Sequence, residues 1–218
     1  MKRRVPALRY SSDELTRVWQ SASILMDYPS DGLFTQIDLL SEVAASLPAK
    51  LGSGLQATID RLRHQSLWKS QSDYVDTFDT RRRGCLFLTY FSNGETRKRG
   101  LALLRIKQVY TKAGLNLTED QLPDHLCVVL EFAATTDQQA GLKIILDNRA
   151  GLELLRLHLV EIDSLWRGAL ESVCATLPAL QGRDHEVVER LIAEGPEDEQ
   201  VGLNTYGMPD LAPMPGGT

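Results

Sequence analysis

The sequence has few cysteines and no long apolar run. Its three cysteines, Cys85, Cys127 and Cys174, are far apart and form no C-x-x-C pair, so the pattern predicts free thiols in a reducing compartment. Apolar runs stay well short of the roughly 20 residues that span a bilayer. A net charge of -5 gives no general attraction for nucleic acid. These absences predict a cytoplasmic protein with no integral membrane segment and no nucleic-acid partner.

The common signatures of catalytic and metal sites are also missing. The chain has no G-x-S-x-G elbow, no phosphate loop and no His, Cys, Asp or Glu set at metal-ligand spacing. We therefore expect no metal site, and these absences argue against a catalytic site without excluding one. Alternating strand patterns, hairpin turns and internal repeats are absent as well.

Helical periodicity dominates what remains. The stretch from Ser11 to Pro29 opens with a serine cap and two acids, and its apolar residues recur at helical spacing. Similar patterns cover about 30–48, 51–69, 72–91, 96–112 and 183–194, and 135–178 fits one long helix or two broken near Ala150–Gly151. We predict an all-α fold, an irregular bundle of about eight helices over 1–194, with two helical halves joined near 115–124. Residues 195–218 are acidic and then Pro/Gly-rich, which predicts a flexible tail.

An acid and an imidazole stand together where the predicted linker meets an apolar run. Pro123 is suited to the first position of a helix, so Asp124 is expected to be a helix-start acid with His125 beside it. The pair is compatible with a structural cap, with a catalytic dyad and with part of a docking surface. An imidazole next to a carboxylate also predicts that binding at this corner depends on pH near neutrality.

Two basic clusters are the other conspicuous feature, Arg81–Arg83 and Arg97–Arg99. They fit solvated helix faces with intrahelical ion pairs. They also fit the rim of a peptide groove that has aromatic side chains, or contacts to a phosphate backbone.

Two long blocks of the sequence resemble a known family. YVDTFDTRRRGCLFLTYFSNGETRKRGLALLRIKQVYTKAG and LPDHLCVVLEFAA are similar to the respiratory nitrate reductase molybdenum cofactor assembly chaperones. These are also called nitrate reductase delta subunits, and they belong to the wider family of redox-enzyme maturation chaperones. The resemblance is dense over about 72–134 and absent from the tail. It implies an all-helical chaperone, not an enzyme, with no catalytic residue and no stably bound cofactor.

The resemblance also implies a partner and a mode of action. The partner would be the apo catalytic (alpha) subunit of respiratory nitrate reductase, bound through its N-terminal segment. The chaperone would promote insertion of the molybdopterin guanine dinucleotide cofactor before membrane attachment, and would leave before the enzyme is complete. The molybdenum cofactor delivery machinery is a further expected partner, and the protein itself is expected to be a monomer or a weak dimer.

The resemblance places the family's linker motif at Pro123, Asp124 and His125. Gln121 stands where members of the family often have Glu. The alternatives are a chaperone for a related molybdoenzyme, a helical nucleotide-binding enzyme that uses Asp124 and His125, and a nucleic-acid-binding regulator. The residues expected to form the client-peptide site or the hinge are Pro123, Asp124, His125, Tyr74, Phe78, Arg81, Arg82 and Tyr90.

Overall fold

The computed structural model describes residues 8–118, 121–180 and 182–195, and the regular structure within these ranges is helical, without a strand. The all-α prediction is confirmed, although most of the predicted tail, 196–218, lies outside the described residues. None of the described helices combines the length and apolar character needed to cross a membrane. The α-helices are α1 (Ser12–Leu25), α2 (Asp31–Ser46), α3 (Ala49–Arg63), α4 (Leu67–Tyr74), α5 (Tyr90–Asn93), α6 (Arg97–Lys112), α7 (Leu126–Thr135), α8 (Gln138–Asp147), α9 (Arg149–Glu161), α10 (Arg167–Thr176) and α11 (Gly182–Glu194).

Helix α1 begins as its sequence predicts. The Ser11 side chain accepts from the Glu14 backbone N–H at 3.2 Å, and the Glu14 carboxylate accepts from the Ser11 backbone N–H at 2.8 Å. This reciprocal arrangement satisfies backbone donors that a helix start leaves free. Deeper in the helix, the Trp19 indole N–H donates to the Thr176 hydroxyl at 3.0 Å and so links α1 to α10.

Helices distant in sequence pack against each other in the core: α1 lies on α7, and α3 lies on α10. The second pair crosses at two glycines. A Cβ added to Gly168 would lie 2.2 Å from the Gly54 carbonyl oxygen, and one added to Gly54 would lie 2.3 Å from the Gly168 carbonyl oxygen. The two backbones therefore approach more closely than any side chain at these positions permits.

The predicted helix over 72–91 is the main error of the sequence-based fold. Helix α4 continues only as a π-helical turn, Val75–Asp79, and a short 3-10 turn, Arg82–Gly84, follows. A Cβ at Gly84 would lie 1.9 Å from the Thr77 carbonyl oxygen. The backbone at Gly84 therefore packs directly against the backbone at Thr77, which only glycine permits. The helix does not continue through this close contact.

Two further differences from the prediction concern the helices over 138–176 and the buried residues of α6. The chain over 138–176 breaks at Asn148 and again between α9 and α10, which gives three helices instead of one or two. Helix α6 forms where it was predicted, but only Ile106 and Tyr110 of it are buried, while Leu101 and Leu104 face outward. The helix count exceeds eight chiefly because predicted segments are interrupted.

Candidate functional site

The predicted linker forms a corner in which two distant stretches of backbone meet. The Leu88 N–H donates to the Asp124 carbonyl at 3.0 Å, and the Leu126 N–H donates to the Leu86 carbonyl at 2.9 Å. Phe87 and His125 face each other as an antiparallel bridge. Helix α7 therefore starts against an extended segment that precedes it by almost forty residues.

The Asp124 carboxylate holds this corner together from inside. It is fully buried, and its Oδ2 accepts from the Thr89 N–H at 3.1 Å and from the Thr89 hydroxyl at 2.5 Å. Arg99 Nη2 lies 3.9 Å from the same oxygen. The other oxygen, Oδ1, has no hydrogen-bond partner among the described residues. A buried carboxylate bound in this way fixes the position of the backbone that carries it.

The expectation that Asp124 is a first-turn acid is therefore corrected. Helix α7 begins at Leu126 with His125 as its N-cap residue, and Pro123 and Asp124 form a turn before it. Pro123 consequently does not occupy the first helical position. It is buried, and its carbonyl accepts from the Tyr110 hydroxyl at 2.7 Å, which joins α6 to the corner. These tertiary hydrogen bonds take the place of the local cap that the sequence predicted.

The His125 side chain has different neighbours from the Asp124 carboxylate. Its ring contacts the Phe87 ring edge-on at 5.3 Å between centroids, and it lines a cavity. Burial lowers the pKa of His125, against the opposing influence of Asp27 and Asp124, so the imidazole is neutral at neutral pH. Because Asp124 bonds to Thr89 while His125 packs on Phe87, the two side chains form no catalytic dyad in this conformation.

The cavity beside His125 has a volume of about 540 Å³ and lies between the end of α1, the start of α2 and the start of α7. Such a volume suits a few amino-acid side chains. Its apolar wall is formed by Ile24, Leu33, Phe87, Leu122 and Val128.

Among the described residues, the charged side chains that line the cavity are both acidic, Asp27 and Glu131. Neither carboxylate forms an ion pair with another described residue. An apolar wall beside two unpaired carboxylates can receive apolar side chains next to a cationic one. The described residues hold no cluster of three or more His, Cys, Asp or Glu suited to a metal ion.

The remaining sequence-predicted residues lie elsewhere. Tyr74 and Phe78 are each 5% exposed and pack on Trp166, with centroids 5.4 and 5.1 Å apart, so they support the core and do not line the cavity. Tyr90 is half-buried, and Arg81 and Arg82 are exposed. The structure thus brings His125 to the cavity, places Pro123 and Asp124 behind it, and leaves the other five outside its lining.

Sequence reasoning missed Phe87, Thr89, Asp27 and Glu131. The first two fell inside a segment interpreted as helix. Gly84, directly after three arginines, was the available signal that the helix stops. No pattern within the sequence links Asp27 to Glu131, because α1 and α7 meet only in the tertiary structure.

Comparisons with known proteins agree with the resemblance noted in the sequence. The family model described as nitrate reductase delta subunit matches residues 44–171. A Mycobacterium tuberculosis protein named "Nitrate reductase-like protein NarX" is 35% identical over 166 residues, which are 76% of this chain and 25% of that protein. The chain therefore spans only a quarter of that relative.

Two shorter relatives have names that describe a function. "Probable nitrate reductase molybdenum cofactor assembly chaperone NarJ" of Bacillus subtilis is 34% identical over 111 residues, 51% of this chain and 60% of that protein. "Nitrate reductase molybdenum cofactor assembly chaperone NarJ" of Escherichia coli is 28% identical over 185 residues, 84% of this chain and 78% of that protein. The match to the Escherichia coli protein extends beyond the residues covered by the family model.

Proposed function

The chain belongs to the nitrate reductase delta subunit family, and on this premise we propose that it is a cytoplasmic assembly chaperone for respiratory nitrate reductase. It binds the apo alpha subunit, including its N-terminal segment, and promotes insertion of the molybdopterin guanine dinucleotide cofactor before membrane attachment. It catalyses no reaction and leaves before the enzyme is complete. The names of the NarJ relatives support the assembly role.

The cavity beside His125 is the observation that carries this proposal. Its wall combines apolar side chains with the unpaired carboxylates of Asp27 and Glu131. A client segment that places apolar side chains in the cavity and a lysine or arginine beside them gains apolar burial and charge complementarity together. Specificity follows because an acidic segment would meet like charge.

The corner behind the cavity has a positioning role in this scheme. Asp124 holds Thr89, which fixes the extended segment carrying Phe87 against the start of α7. The cavity wall is thereby assembled before the client arrives, so less conformational freedom is lost on binding. Of the linker-motif residues, His125 faces the cavity, and Pro123 and Asp124 hold the backbone of its wall in position.

The alternatives kept from the sequence have less support. A nucleotide-using enzyme built on Asp124 and His125 requires the two side chains to act together, yet they have separate partners. A chaperone for a related molybdoenzyme would use the same cavity, and only the identity of the bound segment separates it from the proposal.

The test is calorimetric titration of the full chain with a peptide of the first 15–30 residues or so of the organism's nitrate reductase alpha subunit. Val128→Lys introduces a positive charge into the apolar wall, where it removes apolar contact and repels a cationic client, and we expect it to weaken binding by about 10-fold or more. Leu39→Lys is the matched control, because Leu39 is 60% exposed on α2 and does not line the cavity. Circular dichroism verifies that both variants fold.

Binding that is unchanged by Val128→Lys would place the client elsewhere. Absence of saturable binding, together with normal cofactor content of the alpha subunit in cells lacking this protein, would overturn the proposed function. Stronger binding of the corresponding segment from a related molybdoenzyme would redirect the proposal to that client.

A further inference from the structure

One large side chain stands in solvent with no role in the cavity. Trp68, in the first turn of α4, is 75% exposed, whereas Trp19 and Trp166 are completely buried. Tryptophan has a large apolar surface, and it is strongly enriched among the residues that dominate binding energy in interfaces. An exposed tryptophan on a rigid helix is therefore a candidate contact for a partner.

The position of α4 connects Trp68 to the cavity. One turn beyond Trp68, the Gln71 side-chain amide donates to the Pro29 carbonyl at 2.9 Å. Further along, the Tyr74 ring contacts the Tyr28 ring edge-on at 5.3 Å. Helix α4 thus lies against the turn between α1 and α2, and Tyr28 in that turn lines the cavity. Because residues three apart share a helix face, Trp68 stands on the side of α4 that meets this turn.

Three exposed apolar side chains mark a path from the cavity. Tyr28 is 48% exposed at the edge of the cavity, and Val75 is 38% exposed at the start of the π-helical turn that directly follows α4. We refer to Tyr28, Trp68 and Val75 as the Trp68 strip. Tyr28 belongs to the cavity lining and its ring contacts Tyr74 of α4, so the strip begins at the edge of the cavity.

An acidic residue stands where the strip meets the cavity, since Asp27 adjoins Tyr28 and both line the cavity. Asp76, next to Val75, instead lines a separate cavity together with Arg61 and Arg81. The cation nearest in sequence, Lys69, is paired with Asp73. A cationic, apolar segment that fills the cavity therefore meets the same chemistry on leaving it past Tyr28.

We propose that the Trp68 strip is the second part of the client-binding surface, and that it receives the part of a cationic, apolar client segment that extends beyond the cavity. The Trp68 ring covers an apolar side chain of the client or lies against one of its lysines or arginines. This inference rests on the proposed function, since its occupant is the same segment.

The accessibility of Trp68 supplies the test. Acrylamide quenching of intrinsic fluorescence reports mainly on Trp68, because the other two tryptophans are buried. We measure quenching of the full chain with and without a saturating tryptophan-free alpha-subunit peptide, and expect the quenching constant to fall severalfold on binding. We also expect Trp68→Ala to weaken binding of this peptide by about 10-fold, with Leu39→Ala within about twofold of wild type.

A peptide shortened stepwise from the end that leaves the cavity separates the two surfaces. Once the peptide is too short to reach the strip, its affinity should become insensitive to Trp68→Ala while remaining sensitive to Val128→Lys. Binding that depends on Val128 but leaves Trp68 fully quenchable would overturn the strip and keep the cavity. Absence of any binding would overturn both. Shielding of Trp68 that grows with protein concentration and needs no peptide would assign the strip to a second copy of the chain and overturn the proposal.

Discussion

Thr89 donates twice to a single oxygen of Asp124, through its backbone N–H at 3.1 Å and its hydroxyl at 2.5 Å, across 35 residues of sequence. Both groups are buried. The pair closes the corner on which the cavity wall rests, so its removal tests how far the site depends on a residue that does not line it.

Replacing Asp124 with alanine should destabilise the protein strongly. The change leaves the N–H and hydroxyl of Thr89 without an acceptor and Arg99 without its nearest carboxylate, so we expect a loss of about 3 kcal/mol in the free energy of unfolding. Urea unfolding measures it. Asp38→Ala is the control, since the exposed pair of Asp38 with Arg63 contributes at most about 1 kcal/mol. Equal small effects of both changes would show that the corner is not held by this carboxylate.

The glycine crossing between α3 and α10 gives a second stability prediction. Gly168→Ala forces its new methyl group against the Gly54 carbonyl oxygen, and we expect a cost of about 3 kcal/mol or more, because two helices must separate. Gly100→Ala on α6 is the matched control. Nothing lies within 4 Å of a Cβ there, so alanine should stabilise the helix by about 0.5–1 kcal/mol. Thermal unfolding of both variants distinguishes the opposite signs.

The stability of the fold should depend on pH through His125. Burial lowers its pKa from the ordinary 6.5, so below that pH the unfolded chain takes up a proton that the folded chain does not. The contribution is fully present above pH 6.5 and declines as the pH falls towards the lowered value. We expect His125→Gln to reduce the difference in unfolding free energy between roughly pH 7.5 and 5.5.

His158 provides the comparison for that measurement. Burial and nearby Arg83 also lower its pKa, so His158→Gln should reduce the same pH difference without affecting client binding. For the client peptide, affinity that changes over this pH range in wild type but not in His125→Gln would tie the dependence to the cavity. Affinity that stays flat in wild type would contradict the expected pH dependence of binding.

The cysteines should resist alkylation in the folded protein. Burial raises the pKa of Cys127 well above 9.0 and that of Cys174 to about 12, and it also raises that of Cys85. Because only the thiolate reacts, iodoacetamide near neutral pH should label native protein at least about 10-fold more slowly than urea-unfolded protein. Mass spectrometry locates the label. Rapid labelling of Cys127 in the native state would show that α7 opens readily.

The helices could be predicted where local signals decide them. Ser11 and Glu14 encode the start of α1, and the boundaries of α6 match the prediction. The segment around Phe87 could not be predicted in this way, because its apolar residues fit a helical stripe as well as an extended one. Its conformation depends on pairing with residues 124–126, which is a non-local interaction.

The candidate functional site could also be predicted from the sequence only in part. His125 was identified because an imidazole at a predicted linker is chemically conspicuous. Tyr74 and Phe78 were conspicuous too, yet the structure buries both against Trp166. Periodicity shows that such residues share a face and leaves undecided whether that face meets solvent or another helix.

The two walls of the cavity are made at different times during synthesis. One comes from residues 20–36 and the other mainly from residues 121–131, so roughly 85 residues must be added between them. At ribosomal rates of about 5–20 residues per second, this takes about 4 to 17 s. A nascent copy that has exposed only α1 and α2 presents half a wall and no place for a client. If the cavity binds the client as proposed, competence to bind therefore arises abruptly, when α7 emerges and docks on α1, and does not increase gradually with chain length.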